Sequence, residues 1–438
     1  MILYFILLIA LAILFCFRKG FSIYFFSPTG LLCVTWMVFV FLKFLFAEDY
    51  FFSVEAISLF SLFIFSFFIG EFLMYFHIRV KRNSISSCSI NKVNLESDLK
   101  IFRNKKVVRK FNAIILLTGL STIVGTGMYV NIFVGYFGSI TGVLTAGWAL
   151  RGAMQEISLP LFVRAFMMLG YSSIILTLIY FIVYNKFKWY FLFPYISMLI
   201  MGITQAGRAG FIMILFQVFI MTYWREIFNY VINSKDNSFT FFNSPEYKLI
   251  KSSFRLLTFV IIIFVGGDML RSQDFSFNSD IVIQGFSSFK AYLFGGIAAF
   301  STYLDQGIPE DLGWGRFSFS SLYELLGIHK NEIGIYTDYL RVSASNIDDT
   351  TNIFTAFRQY MDDFGVLGTV FFMMILGAFS HFFFQKAVKG DLASIGFMIV
   401  FYTYLFHTPL LSITVHNSVL ISAILPYFII QRLKKTII

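Results

Sequence analysis

Arg358, Asp362 and Asp363 stand close together in TNIFTAFRQYMDDFGVLG, residues 351 to 368, where the chain passes into an apolar run beginning at Gly365. On a helix Arg358 and Asp362 lie at i and i+4 on one face, with Thr355 on an adjoining part of it, and Asp363 points about 100° away. One carboxylate can then pair with the guanidinium while the other stays free to accept a proton. Two neighbouring carboxylates near a low-dielectric boundary also push one pKa toward the range of a general base. Helix capping competes with this reading, since acids favour a helix start. Capping accounts for Asp362 or Asp363 but leaves Arg358 unexplained.

Six further arginines fall on what the charge pattern below makes the outer side: Arg151 in WALRGAMQEI, Arg164 in the outer part of an apolar run, Arg208 in QAGRAGF, Arg271 just after a run, and Arg316 and Arg341 in a long loop. An arginine at membrane depth costs at least ~2.5 kcal/mol on insertion scales, so it normally has a partner or a purpose. Guanidinium groups bind phosphate through fixed, bidentate donors. Any single one is explained as well by snorkelling or by a loop carboxylate; the set points to anion binding. In QAGRAGF, Gly207 and Gly210 allow a tight turn between two apolar runs, which brings Arg208 to the membrane boundary beside the free N–H groups of the next helix. His407 and His416 flank a short turn, close enough to face one aqueous surface, although packing is the favoured role for each, while His77 and His381 fall near helix ends, where a satisfied histidine is the default. There is no P-loop, Rossmann glycine fingerprint, HExxH or clustered Cys/His set, so no cofactor and no metal are implied.

These residues need a membrane scaffold. Of 438 residues, 58% are hydrophobic, 20% aromatic and only 13% charged, with a mean hydropathy of +0.77. Such a composition marks an all-α polytopic membrane protein, a single integral membrane domain over 1–438. Apolar runs place eleven spans at about 2–17, 29–47, 54–78, 112–134, 160–184, 190–206, 210–227, 255–269, 365–386, 392–409 and 411–430. With the N-terminus outside and the C-terminus cytoplasmic, 24 of the 34 basic residues fall on the cytoplasmic side, ten of them in a basic loop over 79–111. That asymmetry is the positive-inside pattern, so the net charge of +10 reads as membrane topology and not as a nucleic-acid surface. The large outer loop, 270–364, carries enough apolar residues to pack. Its Phe289–Phe300 run, too short to span and interrupted by Gly295 and Gly296, is expected to form an interfacial or re-entrant element. Cys16, Cys33 and Cys88 indicate no disulfide framework.

The layout resembles the O-antigen or capsule repeat-unit polymerases, the Wzy-type family. The resemblance rests on the helix count, the large outer loop, the QAGRAGF turn, AYLFGGIAAFSTYL and NIFTAFRQYMDDFGVLGTVFFMMILGAF, in which Asn352, Thr355, Asp363, Phe364, Gly365 and Gly368 match the pattern at the loop's return to the membrane. It implies a GT-C-like glycosyltransferase of the bacterial inner membrane, without a cofactor. Such an enzyme acts on polyprenyl-pyrophosphate-linked oligosaccharide at the outer leaflet to build lipopolysaccharide or capsule. Membrane lipid, a chain-length regulator and a flippase of the same pathway are its implied partners. Arg151 or Arg208, with Arg316, Arg341 or Arg358, would stabilise the leaving pyrophosphate. Asp363 or Asp362 would take the acceptor proton, and Tyr303, Trp314 and Tyr323 could stack on sugars. Two alternatives remain. An O-antigen ligase has a similar layout, although its hallmark outer-loop histidine beside an asparagine is altered here to His329-Lys330-Asn331. A flippase or transporter would carry charges inside the bundle, as Lys43, Glu71 and Arg164 could be.

Overall fold

Long helices follow from apolar runs with few breakers, and their starts are chemically marked. Pro28 opens the first one after Ser27, while the side chains of Asn104 and Ser139 cap the N–H groups of Lys106 and Gly142. The computed structural model describes residues 11, 26–84, 101–146, 157, 159–204, 209–233, 247–248, 258–266, 269, 279–308, 311–328, 336, 338–347 and 349–435. Within them the helices are α1 Pro28–Phe46, α2 Val54–Ser84, α3 Lys105–Phe137, α4 Ile140–Thr145, α5 Leu161–Tyr184, α6 Leu192–Thr204, α7 Ala209–Asn233, α8 Ser279–Gln306, α9 Ser320–Leu325, α10 Ala356–Ala387, α11 Leu392–His407 and α12 Asn417–Lys435. A short antiparallel pair, β1 Leu340–Arg341 and β2 Thr350–Thr351, sets Leu340 opposite Thr351.

Six helices among the described residues are long and apolar enough to cross a membrane: Pro28–Phe46, Val54–Val80, Lys105–Phe137, Leu161–Tyr184, Gly210–Asn229 and Ala356–Ala387. The chain is therefore an all-α membrane protein. Of the other expected spans, 190–206 and 392–409 correspond to shorter apolar helices, Trp189–Thr204 and Leu392–His407. Span 411–430 is displaced to α12, Asn417–Lys435. Span 2–17 lies outside the described residues, and of 255–269 only 258–266 and 269 are described. Helix extends into both ends of the basic 79–111 segment, through Ser84 and from Lys105. The Phe289–Phe300 run lies within α8, and Gly295 and Gly296 do not break that helix, which runs through both. A Cβ at Gly295 would lie 3.3 Å from the Thr351 side chain, and one at Gly296 would lie 3.2 Å from the Pro409 carbonyl oxygen. The two glycines serve close packing of the helix.

The chain forms two compact units. One comprises Met1–Cys88, Ser287–Gln385 and Tyr404–His416; the other comprises Ser89–Phe286, Lys386–Thr403 and Asn417–Ile438. In the second, α3 packs on α5 and α6, and α12 packs on α5. Asp391 accepts from the Ser394 N–H at 2.9 Å at the start of α11 and pairs with Lys434 at 2.5 Å.

The first unit has an aromatic core in which Trp36 lies 4.6 Å from Phe60 and 5.1 Å from Phe357, with Phe300 against Phe60 at 4.7 Å. Helices α2 and α10 cross without side chains between them: a Cβ on Gly70 would meet the Met374 carbonyl, and one on Gly377 the Phe67 carbonyl. Next to this crossing Glu71 accepts from the N–H and hydroxyl of Thr29, and its Oε1 lies 3.2 Å from His381 Nδ1. Lys43 is also fully buried, donating to the carbonyls of Ala47 and Tyr50. On the opposite side of α10, Leu367, Phe371, Ile375 and Phe379 form an exposed stripe at i, i+4 spacing, the arrangement of a helix that faces lipid. His407 is buried, in line with a packing role, and His416 is exposed, so the two do not share one surface.

The turn between α1 and α2 anchors the β pair. Asp49 accepts from Lys290 at 2.9 Å and from the Ser343 hydroxyl at 2.9 Å. Burial works to raise the Asp49 carboxyl, but these hydrogen bonds hold it below the ordinary aspartate range. A carboxyl depressed in the folded state adds stability above its unfolded pKa of ~3.9. That contribution disappears as pH falls through the lower folded value. The wild-type melting temperature is thus expected to drop on acidification from ~pH 5 downward more steeply than that of Asp49→Asn. Parallel melting curves for the two proteins would remove Asp49 from the acid response.

Candidate functional site

The charged stretch is helical, and it is separate from the span that follows. Gly365 has φ 65° and ψ −177°, a conformation essentially confined to glycine, and it splits α10 into a leading segment, 356–364, and an apolar segment, 366–387. The expectation that Asp362 or Asp363 caps the span is therefore overturned: both belong to the preceding helical turns, and their side chains have other partners. A Cβ at Gly365 would have open space, with only Leu312 Cδ2 at 3.7 Å, so Gly365→Ala isolates the backbone term. It is expected to cost ~1–3 kcal/mol in unfolding experiments, and an unchanged midpoint would show that the break is not needed.

Helical spacing puts Arg358 and Asp362 on one face as expected, with Nε to Oδ2 at 3.5 Å. The surroundings are what the spacing could not foretell. The guanidinium carbon lies 3.7 Å from the ring centroid of Phe354, 3.9 Å from Tyr336 and 4.6 Å from Tyr303, a desolvated cation–π cage. Tyr303 Oη donates to Asp362 Oδ1 and Tyr336 Oη to Asp362 Oδ2, each at 2.5 Å. Burial, reinforced by the Asp362 charge, pushes both phenols far above their ordinary pKa. They stay protonated and act as donors. Arg358 Nη2 donates to Asp338 Oδ2 at 3.0 Å. Arg358 and Asp362 are buried, at 6% and 4% exposure, whereas the Asp338 side chain is 55% exposed. Arg358 Nε and Nη1 have no hydrogen-bond acceptor among the described residues.

Asp363 is not left free, contrary to the simplest reading of its position on the helix. Its Oδ1 accepts from the Phe317 N–H at 2.9 Å and its Oδ2 from the Ser318 N–H at 2.6 Å. The carbonyls of Asp362 and Asp363 take the N–H groups of Gly313 and Trp314 at 2.8 and 3.0 Å. One helical turn thus docks the whole Gly313–Ser318 loop. Glycine is required at 313 because a Cβ there would lie 2.5 Å from Asp363 Oδ1. The loop holds Trp314 at φ 51°, and the residue is 72% exposed; the backbone is unusual for a bulky residue. The carbonyl of Trp314 accepts from the Tyr323 hydroxyl, and Phe317 stacks on Tyr336 at 5.7 Å. A buried hydroxyl chain lies beneath: Tyr404 to Tyr360 at 2.5 Å, Tyr360 to Ser412 at 3.2 Å, Ser412 to Thr414 at 2.6 Å, and Thr414 to the Ser318 carbonyl at 2.7 Å.

The remaining expected residues divide. Arg316 is exposed on the docked loop. Arg341 is occupied, donating to the carbonyls of Ser343 and Ala344 at 2.8 and 2.9 Å. Tyr303 is buried and offers no face to a sugar; Trp314 does. Arg151 and Arg208, together with Arg271 and Gly207, lie outside the described residues. Residues that sequence reasoning missed are Asp338, Tyr336 and Phe354. Among the described residues no three of His, Cys, Asp and Glu converge as metal ligands. Comparison with family models, with curated proteins and with solved structures yields no match to this chain.

Proposed function

We propose that this protein is a glycosyltransferase of GT-C type that polymerises polyprenyl-pyrophosphate-linked oligosaccharide repeat units at the outer face of a bacterial inner membrane, with its N-terminus outside and its C-terminus in the cytoplasm. The observation that carries the reading is the Arg358–Asp362–Asp338 cluster, whose Arg358 and Asp362 stand on a short helical segment that leads through Gly365 into a lipid-facing apolar segment. A lipid-linked pyrophosphate would present its charged end at such a boundary. Charges fixed there in a cage of rings act in a low local dielectric, where they stabilise developing charge more strongly than in water. Beside them the rigid loop offers Trp314 as a stacking surface for sugar and Arg316 as an exposed cation. Asp363 serves this arrangement by docking the loop, and Asp362 by pairing with Arg358.

A second reading is favoured by Glu71 and His381, an ionisable pair buried between membrane helices, as expected in a transporter or flippase. Deletion of the gene separates the readings on glycan gels. The polymerase reading expects single-repeat product. Polymer stranded on its carrier would indicate a ligase, and no glycan at the surface a flippase; either result rejects the polymerase.

A further inference from the structure

Two carboxylates, Asp338 and Asp362, contact Arg358, Asp363 follows Asp362 on the same helical turn, and the three surroundings are not equivalent. Each oxygen of Asp362 accepts a phenolic hydrogen bond. Each oxygen of Asp363 accepts a backbone N–H. Both residues are buried. Asp338 differs on both counts, with its side chain 55% exposed and, among the described residues, only Oδ2 engaged, on Arg358 Nη2. We propose that Asp338 is the carboxylate that contacts the acceptor sugar and takes the proton from its hydroxyl. The proposal rests on the polymerase reading and adds to it the group that performs the proton transfer.

Charge supports the assignment. Arg358 and Asp362 form a buried pair of zero net charge, so Asp338 is the surplus anion of the cluster. When Asp338 gains a proton, Arg358 remains paired with Asp362 and no uncompensated charge is left in the buried site. The converse does not hold: protonating Asp362 would remove the inner partner of a guanidinium enclosed by three rings. The cage also fixes the plane of the guanidinium, and with it the direction in which Nη2 holds Asp338. Nη1 branches from the same carbon, is buried and has no acceptor among the described residues, so its charge acts on the carboxylate from behind.

In the reaction the acceptor hydroxyl oxygen attacks the anomeric carbon of the donor glycan, forming the new glycosidic bond. The bond from that carbon to the pyrophosphate oxygen breaks, and its electron pair leaves with polyprenyl pyrophosphate. The hydroxyl proton passes to Asp338 Oδ1 and then to water on the exposed side. No other reactant is needed.

The test uses the purified full chain in detergent with lipid-linked repeat extracted from a strain lacking the protein, reading polymer ladders and released polyprenyl pyrophosphate. Asp338→Asn is expected to lower kcat by at least ~100-fold, the ordinary contribution of a positioned base. KM should change little, the melting temperature should match wild type, and the acid limb of the pH–rate profile should be lost. Asp338→Glu should retain part of the rate. An Asp338→Asn protein that turns over within a few-fold of wild type, or keeps the acid limb, overturns the assignment. So does one that unfolds, because Asp338 would then be structural. Wild-type protein that forms no polymer and releases no carrier overturns the polymerase reading, and the role of Asp338 with it.

Discussion

Arg358→Ala is expected to abolish polymer formation and to lower folding stability by ~3–5 kcal/mol, the usual cost of removing one partner from a buried ion pair. Asp362 would remain buried, served by two phenols but with no cation, while Tyr303, Tyr336 and Phe354 would surround a cavity. The stability loss should therefore depend on Asp362. In the double variant Arg358→Ala/Asp362→Asn part of it should return, because the uncompensated charge is gone, while activity stays lost. Denaturant unfolding in detergent reads the stability coupling, and glycan ladders read the activity. Arg358→Lys is a sharper probe. An ammonium keeps the charge but cannot lay a planar group among the rings while holding out a second nitrogen to Asp338, so stability should partly survive and polymer should not. Wild-type unfolding by Arg358→Ala would show that the cage contributes nothing to the fold.

Asp363→Ala should be nearly as damaging, through the loop. It leaves the N–H groups of Phe317 and Ser318 without their acceptor, on the order of 1–3 kcal/mol for each if they stay buried. The chain can escape that cost by undocking residues 313–318. Trypsin cleavage at Arg316 should then quicken well beyond wild type, and polymer should be lost with Trp314 no longer held in place. Asp363→Asn retains one acceptor oxygen and should fall between the two. Gly313→Ala, which drives a methyl group toward the same carboxylate, should reproduce the undocking with Asp363 intact. Equal trypsin rates in all of these would separate Asp363 from the loop.

What could be seen in the sequence was the local part. Apolar runs locate the long helices because burying backbone in lipid demands continuous helix. The four-residue spacing of Arg358 and Asp362 places them on one face because helices repeat every 3.6 residues. The rest depends on partners distant in the chain. Nothing near Asp363 in sequence says that it accepts from Phe317 and Ser318; the local rules offer only a cap, and tertiary contacts displaced it. Asp338 looked like one of many loop acids until the fold placed it on Arg358. Gly295 and Gly296 resembled breakers because glycine weakens isolated helices. In the folded chain the missing side chains let α8 approach Thr351 and Pro409, and packing outweighs propensity.

The break at Gly365 has a further consequence. Residues 366–387 measure about 33 Å at 1.5 Å per residue, close to the ~30 Å of bilayer hydrocarbon. The charged turn is fixed to the upper end of that rod, so the rod works as a depth gauge. In a thicker bilayer the cluster would be drawn toward hydrocarbon; in a thinner one it would stand clear of the headgroups where a lipid pyrophosphate travels. Membrane thickness, and the tilt that compensates for it, would then tune the protein as directly as a change of residue.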